Sequence, residues 1–299
     1  MAVSFFFEVL IGGLLAGVMY SLVALGFVLI YKASGVFNFA QGAMVFLAAL
    51  TFVSLLERGI NFWLALAIAL AVMVVLGVAI ERVVLRPLVN QPPITLFMAT
   101  IGLTFVVEGL SQLVWGSQPH GLDLGIDDVP MQWLLDKANI NISQFDLFAS
   151  GIAAVLVAAL ALFFQYTRVG RALRAVADDH QAALAVGIPL KHIWAIVWAV
   201  AGFVALVAGL MWGSRNGVQY SLTFIALKAL PVLILGGFES IPGAIIGGLI
   251  VGASEKLAEV YLGPMVGGGI ESWFAYVIAL LFLLVRPQGL FGEKIIDRV

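Results

Sequence analysis

Apolar residues run in long blocks along this chain, and polar residues are confined to short gaps between them. A hydrocarbon layer about 30 Å thick is crossed by about 20 residues of helix. Blocks of that order occupy 5–31, 36–56, 62–84, 93–115, 145–166, 192–212, 222–238, 241–261 and 272–286. The pattern predicts an all-α integral membrane protein, a polytopic helical bundle of eight or nine transmembrane segments in a single domain over 1–299. The count turns on the short seventh block and on Gly236-Gly237-Phe238-Glu239-Ser240-Ile241-Pro242-Gly243, which breaks the helix with little polar loop. That break is either a tight cytoplasmic turn or a re-entrant interruption inside the bundle. The first block, Phe5 to Ile30, follows no basic segment and is longer than a signal-peptide core, so it reads as a span.

Composition narrows the class. Of 299 residues, 63% are hydrophobic and 11% charged, against about 25% charged in soluble domains. Too few polar groups remain to cover a surface in water, so lipid is the expected solvent. A formal net charge of −2 leaves no basic footprint for nucleic acid. The absence of cysteine excludes disulfides, thiolate metal sites and a cysteine nucleophile. His120, His180 and His192 are scattered, and no metal or cofactor is expected. The chain has no H-E-x-x-H helix, no G-x-S-x-G elbow and no G-x-x-x-x-G-K-[ST] phosphate loop. Any ATP energy therefore has to come from another polypeptide.

Basic residues set the orientation. With the N-terminus outside and nine alternating spans, the inner side carries Lys32, Arg82, Arg86, Arg168, Arg171, Arg174, Lys191, Arg286, Lys294 and Arg298. The outer side carries Arg58, Lys137, Arg215 and Lys256, with Lys228 inside a span. Ten against four is a positive-inside bias and puts the C-terminus in the cytoplasm. Residues 116–144 then form an extracytoplasmic loop holding Asp123, Asp127, Asp128 and Asp136. It is either a solvated connector or a surface that meets an extracytoplasmic partner.

Residues 167–191 face the cytoplasm in this scheme. Arg168, Arg171 and Arg174 share one helix face. Asp178, Asp179, His180, Gln181 and Ala182 follow, and the apolar stretch ends at Gly187-Ile188-Pro189. Gly187 suits a helix C-cap and Pro189 cannot continue the helix. Arginines at an inner face also serve as anchors for anionic lipid. A short docking helix accounts in addition for the Ala-rich stretch and its stop.

Within the spans, small residues recur four apart: Gly13 and Gly17, Gly243 and Gly247, Gly248 and Gly252. Such pairs predict close helix packing. Polar residues at membrane depth are costly and mark either a path or structural pairing. Asn38, Gln41, Thr104, Glu108, Lys228 and Glu239 are candidates for a partly polar translocation path, with a Glu108–Lys228 pair as one arrangement. Glu81 and Glu255 lie near span ends, where snorkelling is the simpler reading.

The run Gly17-Val-Met-Tyr-Ser-Leu-Val-Ala-Leu-Gly26 leads into Asn38-Phe-Ala-Gln-Gly42, and Asp179-His-Gln-Ala-Ala-Leu-Ala-Val-Gly187 follows later. Gly236-Gly-Phe-Glu-Ser-Ile-Pro-Gly-Ala-Ile-Ile-Gly-Gly248 and Arg286-Pro-Gln-Gly-Leu-Phe-Gly292 complete the series. In this order, along essentially the whole chain, these segments resemble the membrane permease subunits of branched-chain amino acid ABC importers, specifically the smaller, LivH-like one. The resemblance implies a second homologous permease, two cytoplasmic ATPase subunits and an extracytoplasmic substrate-binding protein as partners. It implies an amino-acid substrate, with urea or short amides as alternatives, and surrounding membrane lipid. It also implies that the Asp178–Gly187 helix seats in an ATPase groove, with Arg174, Asp178, Asp179, Gln181, Ala182, Gly187 and Pro189 as coupling residues. One departure stands out: many relatives carry Glu where Ala43 follows Gly42 here. An ion-coupled transporter or channel acting alone would suit the broken helix and buried charges as well. An intramembrane enzyme lacks a visible nucleophile–base pair.

Overall fold

The computed structural model describes residues 2–88, 91–178 and 180–292, so Asp179, Lys294 and Arg298 lie outside the described residues. Of Asp178 and Gln181 only the backbone is described. Among the described residues the secondary structure is helical, with two isolated β-bridges and no strand. The helices are α1 (Ala2–Ser34), α2 (Gln41–Glu57), α3 (Phe62–Ala79), α4 (Pro93–Trp115), α5 (Gln132–Ala138), α6 (Gln144–Tyr166) and α7 (Arg168–Asp178). They continue with α8 (His180–Ala185), α9 (Leu190–Asn216), α10 (Ile225–Gly236), α11 (Ile241–Tyr261), α12 (Gly263–Val266) and α13 (Glu271–Val285). A π-helical turn, Ile80–Leu85, extends α3, and a 3-10 turn, Tyr220–Phe224, precedes α10.

Among the described residues, six helical runs are long and apolar enough to cross a membrane: Val3–Ser34, Phe62–Leu88, Ile94–Trp115, Gln144–Tyr166, Leu190–Asn216 and Ile241–Tyr261. Three shorter apolar helices, Gln41–Glu57, Tyr220–Gly236 and Glu271–Val285, coincide with the remaining sequence blocks. At 1.5 Å per residue each of the three reaches only about 22–26 Å, less than a full hydrocarbon thickness of about 30 Å. The chain is a polytopic helical membrane protein.

The fold divides into two compact units. One contains 25–123 and 160–226, the other 1–24, 124–159 and 227–299, so α1, α6 and α10 each pass from one to the other. In the first of these, α2 is buried from Gln41 through Ser54 and packs against α3, α4 and α9. Glycines let the backbones meet there. A Cβ on Gly209 of α9 would stand 2.6 Å from the Val45 carbonyl oxygen, and one on Gly77 of α3 would stand 2.8 Å from the Trp198 carbonyl carbon. The Trp194 indole donates to the Ala33 carbonyl at 2.8 Å and ties α9 to the end of α1.

The other unit is organised by α11, which offers two adjacent rows of glycine. Gly243 meets Gly236 of α10, and a Cβ on Gly247 would lie 2.6 Å from the Val232 carbonyl oxygen. Gly248 and Gly252 face α1, where a Cβ on Gly13 would fall 2.7 Å from the Gly252 carbonyl oxygen, and Gly17 abuts Gly248. Ser21 reinforces the contact by donating to the carbonyls of Gly17 (2.9 Å) and Ile245 (3.3 Å). Pro231 sits inside α10 and cannot donate to Leu227, four residues before it. The freed Leu227 carbonyl instead accepts from the Tyr276 hydroxyl of α13 at 2.6 Å. Residues 124–144 fold on themselves around α5: Met131 and Gln144 amides donate to the Ile142 and Val129 carbonyls, both at 2.9 Å.

Gly248→Ala is expected to lower the melting temperature in detergent, at a cost of order 1–3 kcal/mol for overpacking. Gly109→Ala in α4, where nothing approaches within 4 Å, should be neutral or slightly stabilising. Equal behaviour of the two variants would remove the assigned role of the α1–α11 contact.

Candidate functional site

Asn38 and Gln41 shape the turn into α2. Asn38 Oδ1 accepts from the Ala40 amide at 3.1 Å, and its Nδ2 donates to Gln41 Oε1 at 3.2 Å. Gln41 Nε2 in turn donates to the Ala201 carbonyl at 3.5 Å. Both side chains are fully buried, and a Cβ on Gly26 would lie 2.5 Å from Gln41 Nε2. Phe27 stacks on Phe37 with centroids 4.8 Å apart, while Phe39 meets Phe97 edge-on at 4.8 Å. The polar pair is therefore enclosed by apolar walls and committed to internal hydrogen bonds. Ala43, next along the helix, is also fully buried.

Farther along α4, Thr104 is half-buried and bonds back to the Thr100 carbonyl at 3.0 Å. Glu108, one turn on, is buried and accepts from the Tyr220 hydroxyl at 3.4 Å. Tyr220 is exposed, so through it this buried carboxylate approaches the surface of the unit.

Lys228 has different partners from the one entertained in the sequence. Its Nζ donates to Glu255 Oε1 at 2.8 Å and to Glu271 Oε1 at 3.0 Å. Lys256 Nζ reaches the other oxygen of Glu271 at 3.1 Å, and the Tyr20 hydroxyl donates to Glu255 at 3.3 Å. In place of a Glu108–Lys228 pair there are two separate arrangements, one in each unit. The two lysines and the two glutamates they touch are formally neutral together. Glu255 is only 3% exposed, so its charge depends on Lys228 and Tyr20 for compensation. Four helices thus share one fastener. Glu259, outside that balance, accepts from the Gly269 (2.9 Å) and Glu271 (2.8 Å) amides at the start of α13.

The break between α10 and α11 is a turn of four residues, 237–240, with Gly237 at φ +101° and Ser240 capping α11 through the Gly243 amide. The segment after α13 closes over it. The Leu290 amide donates to the Leu235 carbonyl at 2.8 Å and Phe291 to Gly236 at 3.2 Å. Two segments quoted for the family resemblance therefore meet. Glu239 is exposed on this turn.

The segment after α6 bends sharply at Thr167. A Cβ on Gly170 would collide with the Phe164 carbonyl. Arg174 donates to the carbonyls of Phe164 (2.9 Å) and Gln165 (3.1 Å), and Arg171 to that of Tyr166 (3.2 Å). These arginines cap the end of α6. After α8, Gly187 adopts φ +84°, its amide donating to the Leu184 carbonyl at 3.0 Å and that of Ile188 to Ala183 at 2.9 Å. This pair of bonds is the Schellman stop. Pro189 then precedes α9. Leu184 is 53% and Val186 75% exposed, and Ala182 is exposed with them. The result is a rigidly terminated helix offering apolar side chains outward.

The family described as branched-chain amino acid transport system / permease component matches residues 9–286. The chain belongs to this family. The high-affinity branched-chain amino acid transport system permease protein LivH of Escherichia coli is 30% identical, over 99% of this chain and 98% of its own length. The corresponding protein BraD of Pseudomonas aeruginosa is 28% identical over 98% of both chains. In fold, the chain resembles PsaBC from Streptococcus pneumoniae, solved in complex with Fab, with a TM-score of 0.50 and 12% identity. That likeness covers 92% of this chain and 89% of the other.

In this permease-family chain, Tyr20, Tyr220 and Glu271 are functional neighbours absent from the candidates that the sequence offers, and Glu255 stands there as a span-end residue. The available signal was Lys228 itself, since a cation inside a span demands a carboxylate. Lys228→Met should destabilise the protein by of order 3 kcal/mol, because Glu255 is left buried without its cation. The Lys228→Met, Glu255→Leu double variant should recover part of that loss, read as thermal unfolding in detergent. A double variant no more stable than Lys228→Met alone would show that the pair is not coupled.

Proposed function

We propose that the chain is a permease subunit of an ATP-binding-cassette importer in the inner (plasma) membrane. Its N-terminus lies outside and its C-terminus in the cytoplasm. It carries amino acids, branched-chain or other hydrophobic ones, and forms part of the translocation path while separate subunits hydrolyse ATP. The observation that carries this reading is the family match from residue 9 to residue 286, nearly the whole chain. The family relatives at 28–30% identity are named as branched-chain amino acid permeases, which supports the substrate class.

In this reading α8 docks into a cytoplasmic ATPase. Its exposed Leu184 and the Val186 that follows it, ahead of the stop at Gly187 and Pro189, supply the apolar contact, and Arg174 fixes the helix bend that presents them. Asp178, Asp179 and Gln181 contribute the polar edge of the contact, and Ala182 extends its apolar surface. Thr104 and Glu108 beside Tyr220 are the side chains assigned to the path. A second homologous permease completes that path, two ATPases drive it, and an extracytoplasmic binding protein delivers the substrate. Nucleotide-driven motion of the ATPases moves α8 as a rigid element and alternates access.

Extraction of the tagged protein from its native membrane in mild detergent, followed by mass spectrometry of what co-purifies, tests the assembly. A second permease and two ATPases are expected. Recovery alone, with ion-gradient-driven transport after reconstitution, would overturn the reading in favour of a self-sufficient carrier. Gly187→Val should reduce ATP-driven uptake more than tenfold while the assembled ATPases still hydrolyse ATP, since φ +84° is strained for a β-branched residue. Uptake at the original rate per ATP hydrolysed would remove α8 from the coupling path.

A further inference from the structure

The π-helical turn that follows α3 and the start of α9 enclose an open cleft of ≈ 340 Å³. Its lining includes Glu81, Arg86, Leu184, Leu190, Lys191 and Trp194. Glu81 is 2% exposed and its carboxylate is fully engaged by Arg86, through Nε at 3.2 Å and Nη2 at 3.1 and 3.0 Å. One guanidinium nitrogen, Nη1, is left over, on a side chain that is 46% exposed. Lys191 is exposed, and among the described residues no carboxylate pairs with it. Pro189 gives the first turn of the 27-residue α9 no side-chain cap. The charges in the cleft sum to an excess of one cation, set against an apolar wall of Trp194, Leu190 and Leu184. Both flanking runs, Phe62–Leu88 and Leu190–Asn216, are long and apolar enough to span a membrane. The cleft therefore lies where two membrane helices end.

We propose that this cleft binds the headgroup of an anionic phospholipid. The phosphodiester would lie between Lys191 and the outward nitrogen of Arg86, facing the uncapped turn of α9, and the glycerol and upper acyl chain would lie along Trp194 and Leu190. A membrane lipid fits better than a soluble anion because the cations and the apolar wall occur together at the ends of spans. Leu184 belongs to α8, so an occupied cleft also braces the helix assigned above to ATPase docking. The cytoplasmic orientation proposed above serves only to name the leaflet as the inner one, and headgroup binding is measured independently of it.

The test uses the purified full chain in detergent and native mass spectrometry. It is titrated with dioctanoyl phosphatidylglycerol, with phosphatidylcholine of the same chains, and with glycerol 3-phosphate. The wild type is expected to prefer phosphatidylglycerol. Lys191→Gln should lower that preference about fivefold, the loss of one basic contact near a membrane surface. Lys191→Arg should retain it, as should Lys137→Gln on α5. Equal binding of phosphatidylcholine, or an undiminished preference in Lys191→Gln, overturns the proposal. Glycerol 3-phosphate binding as tightly as the lipid overturns it too, by making the occupant a free anion. These outcomes do not depend on which subunits co-purify, so failure here and failure of the importer reading are separable.

Discussion

Two helices surrounded by hydrocarbon gain nothing by exchanging lipid for each other's apolar side chains, so close backbone contact has to supply the attraction. In this chain that contact is made through glycine. Helix α11 is the clearest case, because its two pairs of glycines are offset by five residues and so present adjacent faces. One face takes α10, the other takes α1. Gly77, Gly202 and Gly209 do the same for α3, α9 and α2 in the other unit. Once the backbones are this close, the side chains around them have little freedom in where they lie. The polar contacts described above are placed by that approach.

Polar satisfaction follows the same geometry. The carbonyl that Pro231 releases is met by Tyr276, and the turn into α2 is closed by Asn38 and Gln41. Lys228 and Glu255 neutralise each other with Glu271 and Lys256 alongside. Each case answers the same demand: backbone and charged groups without water must find a partner inside the protein. The side chains to which transport roles are assigned lie apart from these fasteners, at the Glu108–Tyr220 pair and on the exposed side of α8.

The spans were legible because length and apolarity alone define them, and their ends because Asn61, Pro92, Gly116 and Ser240 are boundary residues in any setting. The stop at Gly187 was legible for the same reason, since a glycine followed two residues on by proline ends a helix locally. The α11 glycines could be read from their four-residue spacing. Gly77 and Gly209 could not, since each acts singly against a backbone on another helix. The partners of Lys228 lie 27 and 43 residues away, and nothing in local spacing selects Glu255 over Glu108. Spacing puts Arg171 and Arg174 on one helix face but does not say what they bond. Their actual targets exist only because the chain bends at Thr167 and brings the α6 carbonyls within reach.

The segment from Arg286 to Gly292 completes the corner between α10 and α11 with backbone hydrogen bonds to Leu235 and Gly236. This places a constraint on biosynthesis. A ribosome makes α10 and α11 well before it reaches Leu290, so for that interval the turn has its glycines in place and its outer carbonyls uncovered. The corner cannot mature in the order in which it is synthesised. It is finished only when residues 286–292 return to the Leu235 and Gly236 carbonyls, so α10 and α11 wait for a segment made after α13.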